Sequence, residues 1–494
     1  MSGWQRGDEA EALVSREWLA TNGIGGYASS TIAGVCTRRY HGHLVAALPA
    51  PLGRFVMLNH VEELVRTASA TCRLSGDEPK SGALRMPDVA LLESFALEDG
   101  LPVWTFADGD VRIEKRLVMP YMQNTTFVQY RVLAANGPIE LHLRPSMHFR
   151  PHEEDVALRP AEPYAYLATG ARLEIAGVGE LRLRIGLAGA AVAFERDERL
   201  IPELLYRVEQ SRGYRSAGAL WSPGSLVATL STGESATLAI STEPWAAIDA
   251  IEPDEAFELE RQRRTSLLTT AHIAADEDPA VAHLVLAADQ FLITPQMRTS
   301  DAARRRAAGE EPRTVIAGYH WFTDWGRDTM ISLEGLTLAT GRLREAGGIL
   351  RTFASHVRDG LIPNMFPEGE NEGLYHTADA TLWFFHAIGR YVRATGDRTT
   401  LGKLLPVLDE IIARQIGGTR FGIGVDPADG LLRQGAESYQ LTWMDAKVDG
   451  WVVTPRRGKA VEINALFYNA LRLVASWVRD DGNTARATEL EEHA

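Results

Sequence analysis

The chain has 494 residues, of which 45% are hydrophobic and 23% charged, and its formal net charge is -14. This length is too great for one ordinary hydrophobic core, so two or three domains are expected. The negative charge argues against a nucleic-acid partner, and no window is apolar for long enough to cross a bilayer.

Cysteine content and the N-terminus narrow the protein class further. Only Cys36 and Cys72 are present, and no Cys/His cluster has zinc spacing, so neither a disulfide framework nor a metal site is indicated. The first ten residues lack the basic start and apolar core of a signal peptide. A cytoplasmic location is therefore the expectation.

The first half of the chain favours β-strands from about residue 52 to residue 244. Segments rich in Val, Leu and Phe, separated by turn signals such as Asp-Gly and Asn-Gly, lie at 112–120, 126–134, 139–145, 181–186 and 226–242. Short adjacent strands without intervening helices predict an antiparallel β-sandwich. We place this domain at residues 1–265.

Beyond a charged stretch at 254–264, the hydrophobic period changes from two to about 3.6. This period predicts helices at 279–293, 329–340, 343–358, 378–394, 401–415 and 461–479. The loops between them are long, at 297–328, 361–377 and 417–459. Stacked helical hairpins with long loops at one end suggest an α/α toroid or barrel over residues 266–494.

The loop at 319–330 combines aromatic and charged residues in a way that suits a sugar. Trp321 and Trp325 offer flat rings to the C–H faces of a pyranose. Asp324, Arg327 and Asp328 can hold its hydroxyls through charge-assisted hydrogen bonds. A helix start capped by Asp beside buried tryptophans explains this segment equally well.

A second segment, 441–451, has the same composition and contains a candidate acid. Asp445 follows Trp443 and Met444, and apolar surroundings disfavour the charged form of a carboxyl group. Glycoside cleavage requires a protonated carboxylic acid as its general acid. Taken alone, Asp445 is explained more simply as a turn residue.

Two further carboxylates, Asp379 and Glu462, stand at predicted helix starts, where capping or the helix dipole accounts for them without any catalytic role. Other common chemistries lack support in the sequence. It contains no Gly-rich phosphate loop, no Gly-x-Ser-x-Gly turn and no His-Glu-x-x-His helix. Among the common enzyme chemistries, the sequence therefore favours acid/base chemistry on a sugar.

Several separate segments also carry a family resemblance, at 21–30, 37–44, 319–332, 360–367, 375–385, 441–447 and 454–466. In this order they resemble glycogen debranching enzymes of the amylo-α-1,6-glucosidase type, in the single-function form of bacteria and archaea. The resemblance implies a β-sandwich that binds glucan or supports a glucoamylase-like (α/α)6 barrel. It also implies hydrolysis, with inversion and without a cofactor, of α-1,6-linked glucose at branch points of glycogen or limit dextrin.

By that resemblance, Asp445 is the general acid, and Arg327 and Asp328 hold hydroxyls of the glucose to be released. Trp321, Trp325 and Trp443 would form the walls of this subsite. The full set of substrate-binding residues expected is Trp321, Asp324, Trp325, Arg327, Asp328, Asp379, Trp443, Lys447 and Glu462.

The sequence departs from the family pattern at its C-terminus. Family members continue past Ala494, and of the twelve barrel helices only the first six or seven are expected here. We therefore expect the general base beyond Ala494 and assign none. Two other functions stay open: a glucoamylase-like or trehalase-like α-glucosidase, and a non-catalytic glucan-binding protein that uses the aromatic loops as a platform.

Overall fold

The protein is described from a computed structural model that covers residues 3–87, 91–157, 163–274, 278–296, 298–307, 309–370 and 372–494. The chain forms two compact units. The first, which we call the β unit, contains Met1–Thr269 and Ala274–Gln290, and the second, the helical unit, contains Thr270–Ile273 and Phe291–Ala494.

The elements of the β unit follow one another along the chain with few helices between strands. Its strands are β1 (Trp4–Gln5), β2 (Glu17–Thr21), β3 (Tyr27–Thr31), β4 (Gly42–Leu48), β5 (Gly53–Leu58), β6 (His60–Arg66), β7 (Thr71–Arg73), β8 (Leu92–Glu98), β9 (Leu101–Asp108), β10 (Val111–Val118), β11 (Thr125–Ala134), β12 (Ile139–Ser146), β13 (Arg150–Pro151), β14 (Tyr166–Thr169), β15 (Arg172–Ala176), β16 (Arg182–Ala188), β17 (Val192–Leu205), β18 (Ala217–Leu230) and β19 (Ser235–Ser241). Its helices are α1 (Ala12–Ser15), α2 (Arg207–Ser211), α3 (Trp245–Ile248), α4 (Pro253–Thr270) and α5 (Pro279–Gln290).

Antiparallel pairing joins these strands into three sheets within the described part of the chain. Their strand orders are β1-β8-β9-β10-β11-β19-β16-β15-β14, β17-β18-β12-β6-β7 and β13-β5-β4-β3-β2. One hydrophobic core takes residues from all three sheets, among them Phe55, Trp104, Val128, Leu143 and Leu226. The predicted antiparallel β-sandwich is confirmed.

Strand structure begins earlier than the sequence predicted. The strands β2 to β4 precede residue 52, and every residue of β3 and β4 is buried. A strand covered on both faces shows no polar alternation, so its period is hidden. The polar side chains of β3 form hydrogen bonds within the protein; for example, Ser29 Oγ donates to the carbonyl of Trp18 at 2.7 Å.

The helical unit contains the helices predicted after residue 329. Its helices are α6 (Thr299–Ala307), α7 (Gly326–Leu333) with a π-helical turn (Glu334–Leu338), α8 (Leu343–Ser355), α9 (Ala380–Thr395), α10 (Arg398–Gly417), a 3-10 turn (Arg420–Gly422), α11 (Val461–Asp480) and α12 (Thr484–His493). Short strand pairs join β20 (Leu292–Ile293) to β21 (Thr314–Val315), β22 (Gly424–Val425) to β23 (Leu432–Arg433), and β24 (Lys447–Val448) to β25 (Trp451–Val452).

Helix α9 lies at the centre of this unit and contacts α7, α8, α10 and α11. Its buried face includes Phe384, Phe385 and Ile388, which share one core with residues of the neighbouring helices. Helix α10 begins three residues before the predicted start because Asp397 caps it, its carboxylate accepting from the Thr400 amide at 2.9 Å. Over the described residues, no helix has the length and apolar character needed to cross a membrane.

Candidate functional site

Arg327 is the centre of the candidate site. It is the second residue of α7, and its side chain is buried. Nε donates to Oδ2 of Asp379 at 2.9 Å, and Nη1 donates to Oδ2 of Asp445 at 2.9 Å. Nη2 donates to the carbonyl of Thr442 at 3.0 Å. One guanidinium thus ties the loops before α9 and α11 to the start of α7.

Burial by itself would lower the pKa of Arg327, but the charges and hydrogen bonds of Asp379 and Asp445 raise it. The positive charge is therefore permanent at any physiological pH. A planar guanidinium with several donors keeps its carboxylate partners in a fixed geometry, which a flexible ammonium does not.

The start of α9 holds Asp379 in place for Arg327. Asp379 is 1% exposed, and its Oδ1 accepts a hydrogen bond from Thr377 Oγ1 at 3.0 Å. Thr377 also caps the helix, since its Oγ1 accepts from the Ala380 amide at 3.2 Å. Capping therefore falls to Thr377, and the carboxylate of Asp379 serves Arg327.

The structure corrects the predicted surroundings of Asp445. The sequence suggested apolar neighbours, but the Asp445 side chain contacts Arg327 and is 34% exposed. Trp443, two residues earlier, is 56% exposed. Val448 and Trp451, in the hairpin of β24 and β25 that follows, are exposed as well, so these apolar side chains face solvent instead of enclosing the carboxyl group.

Asp328 is a second, differently placed carboxyl group in the first turn of α7. Burial raises the pKa of Asp328, and the nearby charges of Asp445 and Asp379 raise it further, whereas Arg327 lowers it. Its neutral form therefore persists to higher pH than in an ordinary aspartate. Such a carboxyl group can act as a proton donor.

His376 belongs to the same cluster, although the sequence did not select it as a site residue. Burial lowers the pKa of His376, and the positive charge of Lys447 lowers it further. Its ring lies 6.3 Å from that of Tyr439. The sequence did offer one reason to select His376: it directly precedes Thr377 and lies three residues before the candidate Asp379, at the start of a predicted helix.

Glu462 lies at the start of α11 and is paired with Arg456, a residue that the sequence did not select. Arg456 donates from Nη2 to Oε2 of Glu462 at 2.9 Å and from Nη1 to the other oxygen. The hydrogen bonds from Arg456 lower the pKa of Glu462. The same guanidinium lies 5.7 Å from the Trp443 ring centroid, so it links the two predicted residues.

Trp321 and Trp325 belong to a small aromatic cluster before α7. The ring of Phe322 lies 5.6 Å from that of Trp321 and 6.1 Å from that of Trp325. Phe322 is 41% exposed, and both tryptophans are partly exposed. The aromatic surface predicted for this loop is thus accessible, with Phe322 as a further member.

Two predicted binding residues have other contacts in the structure. Asp324 is 4% exposed, and its Oδ2 accepts from Arg298 Nη2 at 2.7 Å and from Thr314 Oγ1 at 3.1 Å. This buried ion pair holds the loop together, and the predicted contact of Asp324 with a sugar stays a prediction. Lys447 is exposed and donates to the Ser438 carbonyl at 3.1 Å.

The family profiles that match the chain cover most of its length. The family described as amylo-alpha-1,6-glucosidase matches residues 286–492, and that described as glycogen debranching enzyme N terminal matches residues 16–237. The glycogen debranching enzyme of Saccharomyces cerevisiae is 30% identical over 34% of this chain, and the match spans 15% of that enzyme.

Solved structures extend the similarity to the fold. A bacterial glucoamylase complexed with acarbose aligns with 100% of this chain and 67% of its own, at a TM-score of 0.52 and 10% identity. A protein from the human microbiome, assigned as a kojibiose phosphorylase, aligns with 99% of this chain and 69% of its own, at a TM-score of 0.53 and 8% identity. At these identities the likeness concerns the fold alone.

Proposed function

The chain belongs to the glycogen debranching enzyme family, and we propose that it takes part in hydrolysing α-1,6-linked glucose at branch points of glycogen or limit dextrin. We further propose that the helical unit forms part of an (α/α)6 barrel, as the likeness to the glucoamylase supports. The observation that carries the proposal is the contact of Arg327 with both Asp379 and Asp445.

In the proposed reaction, Asp445 is the general acid. Arg327 engages Oδ2 of Asp445, so Oδ1 is the oxygen assigned to carry the proton. The proton passes to the glycosidic oxygen as the bond from that oxygen to the anomeric carbon breaks. Water adds to the opposite face of the sugar and gives up its proton to a general base, which inverts the anomeric centre.

The aromatic and charged residues around Asp445 are assigned to glucose binding. The rings of Trp321, Trp325 and Trp443 would contact the C–H faces of the sugar. Asp328 would accept hydrogen bonds from its hydroxyls, whereas the buried Asp379 would act by holding Arg327 in place. We assign no residue to the general base, which an inverting enzyme places roughly 6.5 to 9.5 Å from the acid.

One observation favours a second assignment of the acid. The raised pKa of Asp328 makes this carboxyl group a candidate proton donor in the same cluster. Asn replacements separate the two assignments because an amide keeps the shape of the carboxyl group but cannot donate its proton. Loss of hydrolysis in Asp328→Asn alone would transfer the acid role from Asp445 to Asp328.

The test is glucose release from glycogen limit dextrin by the wild-type chain and by Asp445→Asn. The replacement should reduce kcat by about a hundredfold or more while glucan binding persists. Asp449→Asn is the matched control, since Asp449 is exposed on the same loop and its φ of 48° suits Asn. If NMR shows that the glucose first released is the β-anomer, this result would support inversion.

The alternative functions predict different results in the same assay. Faster release from maltose or trehalose than from limit dextrin would favour a glucoamylase-like or trehalase-like enzyme. Glucan binding without any product, in wild type and Asp445→Asn alike, would favour a binding protein. Product appearing only with added inorganic phosphate, as glucose 1-phosphate, would contradict hydrolysis.

A further inference from the structure

We propose that the β unit carries a glucan-binding site on the surface formed by Arg39, Glu153 and Tyr214, here called the Tyr214 surface, with Tyr40 buried beneath it. This inference rests on the proposed glucan substrate but uses none of the residues assigned to hydrolysis. Arg39 and Tyr40 belong to segment 37–44 of the β unit.

The polar part of the Tyr214 surface is a closed set of hydrogen bonds. Arg39 Nη2 donates to Tyr40 Oη at 2.7 Å and to Glu153 Oε2 at 3.2 Å. Tyr40 Oη donates to the same carboxylate oxygen at 3.0 Å. The Glu153 side chain is 45% exposed, so the buried Tyr40 and the partly buried Arg39 hold its carboxylate in a fixed position that faces solvent.

The aromatic part is the ring of Tyr214, which is 51% exposed. The guanidinium of Arg39 lies 5.6 Å from the ring centroid and that of Arg212 lies 5.2 Å away. The Tyr214 amide donates to the Glu209 carbonyl at 3.0 Å, which fixes the backbone after α2. An accessible ring beside fixed polar groups is the arrangement that a pyranose can stack on and bond to.

Buried polar groups without partners lie next to this surface. Glu209 is 0% exposed, and its Oε1 accepts from the Arg39 amide at 3.3 Å. Within the described residues, Glu209 Oε2, Arg39 Nε and both ring nitrogens of His152 make no hydrogen bond. His152 lies close by, with Nε2 3.7 Å from Glu153 Oε1. These atoms are enclosed by protein, so the proposed site rests on the exposed groups of Arg39, Glu153 and Tyr214.

The charges around Tyr214 indicate the chemistry of the ligand. Arg39 and Arg212 are cationic, whereas Glu153 and Glu209 are anionic and adjoin Arg39. The carboxylates would repel a phosphate group. A neutral ligand whose hydroxyls both donate and accept matches this mixture, and an α-glucan is such a ligand.

The test measures retardation of the full chain in native gels that contain glycogen. Tyr214→Ala should raise the apparent Kd about fivefold through loss of the stacking surface, and Tyr214→Trp should restore the affinity. Arg39→Ala should also weaken retardation. Its matched control is Arg196→Ala, because Arg196 lies 5.5 Å from the Tyr166 ring and pairs with Glu198 in a similar Arg–Tyr–Glu group.

Glucose release from limit dextrin by the same samples separates this proposal from the proposed hydrolysis. Weaker retardation of Tyr214→Ala without glucose release in any sample would support the Tyr214 surface and contradict hydrolysis. Glucose release with equal retardation of wild type and Tyr214→Ala would support hydrolysis and overturn the Tyr214 surface. An equal effect of Arg196→Ala and Arg39→Ala, or displacement of glycogen by millimolar inorganic phosphate, would also overturn it.

Discussion

Arg327 and Asp379 form a buried ion pair across the starts of α7 and α9, with Nε and Oδ2 2.9 Å apart. A second contact from the same guanidinium holds Asp445, which lies on a partly exposed loop. The position of Asp445 therefore depends on a buried residue that is itself held by another carboxylate. Such preorganisation lowers the entropy that must be lost when a substrate is bound in reactive geometry.

Replacing Arg327 with Lys should reduce kcat/KM for limit dextrin by about a hundredfold. The single ammonium cannot bond to Asp379, Asp445 and the Thr442 carbonyl at the same time. Arg342→Lys is the control, because Arg342 is also buried but pairs with Glu345 elsewhere in the helical unit. Unchanged kinetics of Arg327→Lys would show that the three contacts are dispensable.

Replacing Asp324 with Asn should reduce the free energy of unfolding by about 3 kcal/mol, because it leaves Arg298 charged and buried without its partner. Urea denaturation followed by circular dichroism measures this loss. The KM for limit dextrin should stay near that of wild type. A raised KM with normal stability would instead support the direct sugar contact predicted from the sequence.

Gly326 is the first residue of α7, and its backbone passes close to Pro363. A Cβ at this position would lie 2.1 Å from the Pro363 carbonyl oxygen. Gly326→Ala should therefore destabilise the helical unit by about 1 to 3 kcal/mol and reduce activity by displacing Arg327. Gly335→Ala is the control: nothing lies within 4 Å of its added Cβ, so stability should hold or rise. Thermal melting compares them, and equal melting temperatures would contradict the predicted clash.

Asp328→Asn should change the pH dependence of stability. Burial raises the pKa of Asp328, so between its ordinary and its raised pKa the folded chain binds more protons than the unfolded chain. This group therefore makes the folded state less stable as pH rises through that interval. The Asn variant should gain stability over wild type at neutral pH and lose that advantage in acid. Urea unfolding across pH measures the difference, and parallel curves would contradict the raised pKa.

The sequence predicted those parts of the fold that depend on local patterns. The apolar face of Ile463, Phe467, Ala470, Val474 and Trp477 indicated α11, because a helix repeats its neighbours every three or four residues. The strands β3 and β4 were not predicted, because a strand buried on both faces lacks the alternation of polar and apolar residues that marks a half-exposed strand.

Local patterns in the sequence were enough to predict a strand-rich first half, a helical second half and two loops with residue types suited to sugar chemistry. Which of these residues meet depends on the tertiary structure. Arg327 bonds to Asp379 and Asp445, which lie 52 and 118 positions away in the sequence. Asp324 lies only three positions from Arg327, but its carboxylate bonds to Arg298. Contacts between distant segments are set by packing of the helices and loops, and no local period encodes them.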